Sequence, residues 1–406
     1  MASPNAQAAA AYRPMDQRLA ARMLRLGTET AFEVLARAQA LERQGQHIIH
    51  LEIGEPDFDT PSAIVEAGAQ ALRHGYTHYT PSPGLLPLRQ AVADEMHRSR
   101  GLSVAPEQVV VTPGAKPILF FTMLALIDEG DEVLCPDPGF PIYESMIRYC
   151  GGTVVPVALP ESLDFRLDIA ALQGAVTSRT KLIIINSPAN PTGSALEQGD
   201  LRRIAGIAQD HDLLVLSDEI YSRMLYEGAH HSIAALPGMA DRTIILDGFS
   251  KTYAMTGWRL GYGVFPLPLA PFISKLMTNS NSCTAAATQI AGIEALTMPQ
   301  QPVTAMVDEF RRRREVIVKG LNSLPGISCR MPAGAFYAYP NIQKTGVPSA
   351  ELAALLLHKA GVATLSGTSF GPAGEGYLRL SYANSIANIE EALSRIGRVL
   401  GDVVGK

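Results

Sequence analysis

Apolar and polar positions along the chain follow two rhythms. Between residues 17 and 45 the stretch LAARMLRLGTETAFEVLARAQAL carries apolar side chains at helical spacing. A short apolar strand, HIIHLEIG, follows, with the turn-rich EPDFDTP behind it. From residue 63 the pattern alternates. Apolar, β-branched runs at 108–112 (QVVVT), 132–136 (EVLCP), 153–159 (TVVPVAL), 181–187 (KLIIINS), 213–218 (LLVLSD), 243–248 (TIILDG) and 260–265 (LGYGVF) are separated by helical stretches. Unbroken apolar runs suit strands covered on both faces, and their alternation with helices predicts an α/β domain around a mostly parallel sheet. Past residue 305 a charged helix, VDEFRRRREVIVKGLNSL, opens a tail of shorter strands and helices. The expected organisation is a flexible N-terminal arm over 1–15, a large domain over 63–305, and a smaller α+β domain that combines 16–62 with 306–406.

A chain of 406 residues is long enough for two cores. A net charge of −5 argues against a nucleic-acid or anionic-membrane partner. No apolar run is long enough to span a bilayer, and MASPNAQAAAAYRP lacks the charged start and apolar run of a secretory signal, so a cytoplasmic location is expected. Cys135, Cys150, Cys283 and Cys329 form no CxxC pair and read as reduced thiols. No HExxH or Cys/His cluster is present, so no metal is expected.

In an open α/β sheet, ligands bind beyond the carboxyl ends of the strands, and the residues there carry the chemistry. Gly114-Ala115-Lys116 follows QVVVT and opens an apolar helix, whose free N–H groups suit a phosphate. Pro188-Ala189-Asn190-Pro191 places an Asn amide after KLIIINS. Asp218 and Tyr221 follow LLVLS, and a carboxylate there needs a cationic partner if buried. Ser250 and Lys251 follow TIILDG, with Arg259 eight residues on. A buried lysine suits Schiff-base chemistry and an arginine suits phosphate. Each feature alone is also what a plain turn, a helix N-cap or a snorkelling cation would give. Together they answer four demands: a phosphate, a protonated ring nitrogen, a phenolic oxygen and an aldehyde. Pyridoxal 5′-phosphate (PLP) makes all four.

NSPANPTG, SDEIY, FSKTYAMTGWRLGYG and YLRLSYA resemble the class I/II aminotransferases of PLP fold type I, especially the bacterial aspartate aminotransferase branch. The resemblance implies a large domain on a mostly parallel seven-stranded sheet plus a smaller α+β domain. It implies that Lys251 holds the cofactor through an imine and moves the α-proton. Asp218 would pair with the pyridinium, Asn190 and Tyr221 would bind the ring oxygen, and Phe140 would stack on the ring. Arg259, Ser250 and Gly114-Ala115-Lys116 would hold phosphate. Arg379 would clamp the substrate α-carboxylate with help from the Gly54 backbone, and Phe336 and Tyr337 would line the substrate pocket or pack the small domain. Tyr79 would reach the phosphate of a second subunit, which implies a homodimer. Lys116 would face a dicarboxylic side chain or only add to the phosphate field. Gly248 departs from the family, which commonly has Ser or Thr there, and Phe140 stands where aspartate-type members often have Trp. The implied activity is ping-pong transfer of an amino group from an L-amino acid, aspartate-like before aromatic or aliphatic, to a 2-oxo acid such as 2-oxoglutarate.

Three other readings were weighed. Gly367-Thr368-Ser369-Phe370-Gly371 fits the GxSxG pattern of serine hydrolases, but the last histidine, His358, lies upstream and Ser369 is expected in an ordinary loop. A PLP-dependent lyase or decarboxylase would share the lysine, aspartate and arginine set. A transcriptional sensor would need a DNA-binding domain that about fifty leading residues do not supply.

Overall fold

The structure is a computed structural model that describes residues 18–403. The expected arm over 1–15 lies outside the described residues. The first strand, β1 (Ile49–His50), is short. Seven strands then build the main sheet: β2 (Val109–Thr112), β3 (Glu132–Asp137), β4 (Thr153–Ala158), β5 (Thr180–Asn186), β6 (Leu214–Asp218), β7 (Thr243–Gly248) and β8 (Gly261–Val264). Each falls on one of the seven apolar runs. Their order is β2-β8-β7-β6-β5-β3-β4, and β8 alone runs antiparallel to its neighbours. Helices cover both faces, so β2, β7 and β8 are buried at every position.

One strand departs from the expected burial. TVVPVAL forms β4, but most of its residues are exposed or half-buried. It pairs only with β3, and an edge position tolerates Pro156, which has no N–H for a ladder.

The parallel register aligns the strand ends that matter. Asn186 faces Asp218, Asp218 faces Leu246, and Gly248 faces Gly261, which also faces Thr112. The end of each parallel strand and the start of β8 therefore open onto one edge of the sheet.

Residues before and after the sheet meet each other. β1 pairs in parallel with β10 (Val362–Ala363), while β11 (Leu365–Ser366), β12 (Leu378–Ser381) and β9 (Tyr337–Ala338) form a separate antiparallel sheet. The predicted helix between 17 and 45 resolves into a 3₁₀ turn at Ala21–Arg25 and an α-helix at Thr30–Glu42. The charged helix begins at Gln301 and runs to Asn322. Its arginine run is not all solvated. Arg313 and Arg314 lie on the buried face with Met306, Phe310 and Ile317, at i, i+3/i+4 spacing. Arg313 is paired with Asp57 at 2.6 Å and Arg314 with Glu227 at 2.6 Å. One apolar cluster runs from Val133, Leu182 and Leu216 of the main sheet to Phe310, Phe336 and Leu393. No described helix is long and apolar enough to cross a membrane.

Candidate active site

A cavity of about 540 Å³ opens at the aligned strand ends, a size suited to a small organic cofactor. Ala115, Lys116, Phe140, Asn190, Asp218, Tyr221, Ser250, Lys251, Arg259, Gly54 and Arg379 all line it. Residues from seven separate stretches of chain thus converge on one space.

Lys251 follows β7 and donates to the Gly54 carbonyl at 2.5 Å. Burial pushes its ammonium down to about 8, against the pull of Glu55. A useful fraction of free amine is therefore present near neutral pH.

Asp218 and Glu219 are consecutive, both buried, and differently satisfied. Arg100 reaches Glu219 at 2.6 Å and Asp247 at 2.5 Å, and His230 and Ser232 also bond Glu219. Burial opposes ionisation of Glu219, but these partners hold it well below the usual carboxylate range. Asp218 takes a 2.5 Å bond from the Tyr143 hydroxyl and a 3.2 Å bond from the Ile220 N–H. No salt bridge reaches it among the described residues. Burial pushes it up to about 6. The expected partner cation of SDEIY is therefore Arg100 for Glu219, while Asp218 faces the cavity unpaired. Tyr143 was not singled out from the sequence. Its signal was its spacing, three residues after Phe140 on the helix Pro141–Cys150, which puts both rings on one side.

Arg379 on β12 is 4 % exposed and lies between two rings, 4.5 Å from the Tyr337 centroid and 4.9 Å from that of Phe370. It donates to the Asn190 Oδ1 at 3.1 Å and to the Glu52 carbonyl, while its Nε is buried without a partner. Burial pulls it below its ordinary pKa. The Glu52 carboxylate is fully buried and bonds His50 at 2.7 Å. The Glu52 hydrogen bond, with Glu42 helping against burial, holds the His50 imidazolium up to about 9. Its contribution to stability is fully present below about 6.5 and is lost as pH rises through about 9. Thermal melts between pH 6.5 and 10 should show that decline in the parent protein and a flatter profile in His50→Gln.

Gly114 has a φ of +86°, and a Cβ there would sit 2.2 Å from the Arg259 guanidinium. The glycine lets Arg259 lie against the turn that opens the helix Lys116–Leu126. Gly248 is explained by packing. A Cβ would meet the Gly261 Cα at 3.1 Å across the β7–β8 pair. Ser250 remains as a hydroxyl lining the cavity.

One residue differs from expectation. Phe336 does not line the cavity. It is fully buried, stacked on Phe310 and edge-on to Tyr221. Tyr337, the first residue of β9, turns to the cavity, where its hydroxyl bonds that of Tyr221 at 2.6 Å. Lys116 lines the cavity with its ammonium ion-paired to Glu29. Glu29 and Phe32 line the cavity and were not identified from the sequence. Tyr79 is 88 % exposed and lies outside this cavity. Ser369 sits in a 3₁₀ turn, Gly367–Phe370, next to the cavity-lining Phe370.

The class I and II aminotransferase family model matches residues 46–396. The chain belongs to that family. It is 42% identical over 357 residues to an aspartate aminotransferase of Pyrococcus abyssi, covering 87% of this chain and 92% of that protein. It is 41% identical over 357 residues to aromatic-amino-acid aminotransferase 2 of Thermococcus litoralis, with the same coverage. Its fold superimposes on the Thermus thermophilus aspartate aminotransferase with maleate at a TM-score of 0.90 and 38% identity, covering 94% of this chain and 99% of that one. The aminotransferase is thus a PLP-dependent transferase of fold type I, EC 2.6.1.-.

Proposed function

We propose that this aminotransferase takes an aspartate-like amino acid as donor and 2-oxoglutarate as acceptor, with Lys251, Asp218 and Tyr221 at the reacting centre. The observation that carries the site assignment is Asp218, a buried carboxylate with no cation paired to it among the described residues, in the same cavity as a lysine of lowered pKa. Such a carboxylate is costly unless a ligand cation meets it, and a pyridinium nitrogen supplies one. The residues fit PLP in other respects. Arg259, Ser250 and the Gly114-Ala115-Lys116 turn offer donors to a phosphate, Phe140 offers a ring face, and Asn190 and Tyr221 offer donors to a phenolic oxygen.

Bound PLP supplies a carbon that takes up amino groups and a protonated ring that accepts the electron pair left when the α-proton departs. The chain does the rest. Arg379 holds the α-carboxylate, using donors that now rest on Asn190 and Glu52. With PLP bound, Lys251 as a neutral amine would take the α-proton and carry it onward. Asp218 keeps the ring nitrogen charged. Tyr337 and Phe370 fix the plane of Arg379 and exclude water from it.

The aspartate-like preference is supported by the relative named for that amino acid and by Lys116 in the cavity wall, while the aromatic relative keeps a second donor class open. We further propose a cytoplasmic homodimer in which Tyr79 serves the partner's phosphate site, and a small domain of 16–62 with 306–406 that closes on a large domain of 63–305 through Arg379. A PLP-dependent lyase or decarboxylase outcome is separated by product. The test is to mix purified protein with single amino acids and no oxo acid. Loss of the visible absorption with release of the matching 2-oxo acid supports transamination, and release of ammonia or carbon dioxide overturns it.

Gly114→Ala should weaken PLP binding on the order of tenfold, because the positive φ and the contact with Arg259 both resist a methyl group. An absorbance titration of the cofactor-free protein checks this.

A further inference from the structure

Glu29 occupies the N-cap position of the helix Thr30–Glu42, yet its side chain makes no capping bond. It turns instead across the cavity wall to Lys116. The carboxylate side chain is only 16 % exposed, and the Lys116 ammonium lies between two rings, 5.9 Å from the Phe32 centroid and 5.6 Å from that of Phe140. Glu29, Lys116, Phe32 and Phe140 all line the space that holds Lys251 and Arg379. The acidic side chain placed there is directed at a cation inside the substrate pocket rather than at the start of its own helix.

We propose that Glu29 is a specificity-determining residue that sets the balance between dicarboxylic and aromatic amino acids. With α-carboxylate fixed at Arg379, the far carboxylate of an aspartate-like substrate must displace Glu29 to reach Lys116. A neutral ring leaves the ion pair closed and packs on Phe32 and Phe140. The pocket thus accepts both classes, and the strength of the Glu29–Lys116 pair grades them. This inference rests on the assignment of Arg379 to the α-carboxylate.

The test compares the parent enzyme with Glu29→Gln, which keeps the size and polarity of the side chain but removes its charge. Rates of the half-reaction are measured with aspartate and with phenylalanine, and dissociation constants are measured for the unreactive acids succinate and 3-phenylpropanoate. In Glu29→Gln the aspartate-to-phenylalanine ratio of kcat/KM should rise on the order of tenfold, with a parallel tightening of succinate relative to 3-phenylpropanoate. Lys116→Gln should move both ratios the other way. If Glu29→Gln scales both amino acids equally and leaves the ratio of the two acids unmoved, Glu29 is only a tether for the segment before its helix. If no amino acid reacts even with the parent enzyme, the transamination reading fails, while the ratio of acid affinities still decides the role of Glu29.

Discussion

Lys251→Ala should slow the half-reaction with any amino acid by at least about 10⁴-fold, since it removes both the covalent anchor and the proton carrier. The visible absorption that marks PLP held by the enzyme should shift at the same time. The fold should survive. The ammonium makes one hydrogen bond, to Gly54, and burial already works against its charge. Melting temperature should therefore stay within a few degrees, whereas a collapse would mean that lost activity reports unfolding. Lys251→Arg should be as inactive as the alanine variant, because it keeps a cation but supplies no neutral amine. Turnover within tenfold of the parent in either variant would end the assignment of Lys251.

Asp218→Asn should have the second largest effect, and in two directions. Activity should fall by about 10²–10³-fold, as expected when one partner of a buried charge pair is removed. The cofactor-free protein should become more stable. In the folded chain Asp218 loses its proton near 6, against an ordinary value of 3.8, mainly because of burial. Between those values the folded state binds more protons than the unfolded state, so stability falls as pH rises across the window and the loss persists above it. Asparagine removes that loss, roughly 2–3 kcal/mol; its single oxygen can keep the bond from the Ile220 N–H while its amide NH2 donates to the Tyr143 hydroxyl. Chemical denaturation of cofactor-free protein at pH 7.5 and at pH 4 tests this. Stabilisation should be large at the first pH and small at the second. Equal melting at both would mean that Asp218 is satisfied by something other than a ligand.

Strands and strand-end residues were legible in the sequence because each depends on local pattern. TIILDG-FSK specifies a buried strand and a lysine just past it without reference to any other segment. Lys251, Asp218, Asn190 and Arg259 were found in this way, Arg379 came with the family resemblance, and all five line the cavity. What the sequence did not disclose depends on contacts between distant segments. Glu29 meets Lys116 across 87 residues, and nothing in RLGTETAF marks it as a cavity residue. Tyr143 acquires its role only when β3 and β6 lie in one sheet. Arg313 and Arg314 look solvated within RRRR until Asp57 and Glu227 arrive from elsewhere. Phe336 and Tyr337 were both plausible as pocket residues, and only packing separates them: Phe336 stacks on Phe310 while Tyr337 lines the cavity.

The stacked glycines leave little room for revision of the phosphate end of the cavity. A serine at 248 would place its Cβ 3.1 Å from the Gly261 Cα, so the paired strand must give by a few tenths of an ångström. Gly261 in turn has no space to retreat, because its own Cβ position lies 2.5 Å from the Gly114–Ala115 backbone. Three neighbouring layers would have to shift together. For anyone redesigning this end of the cavity, Gly248→Ser is an uphill first step.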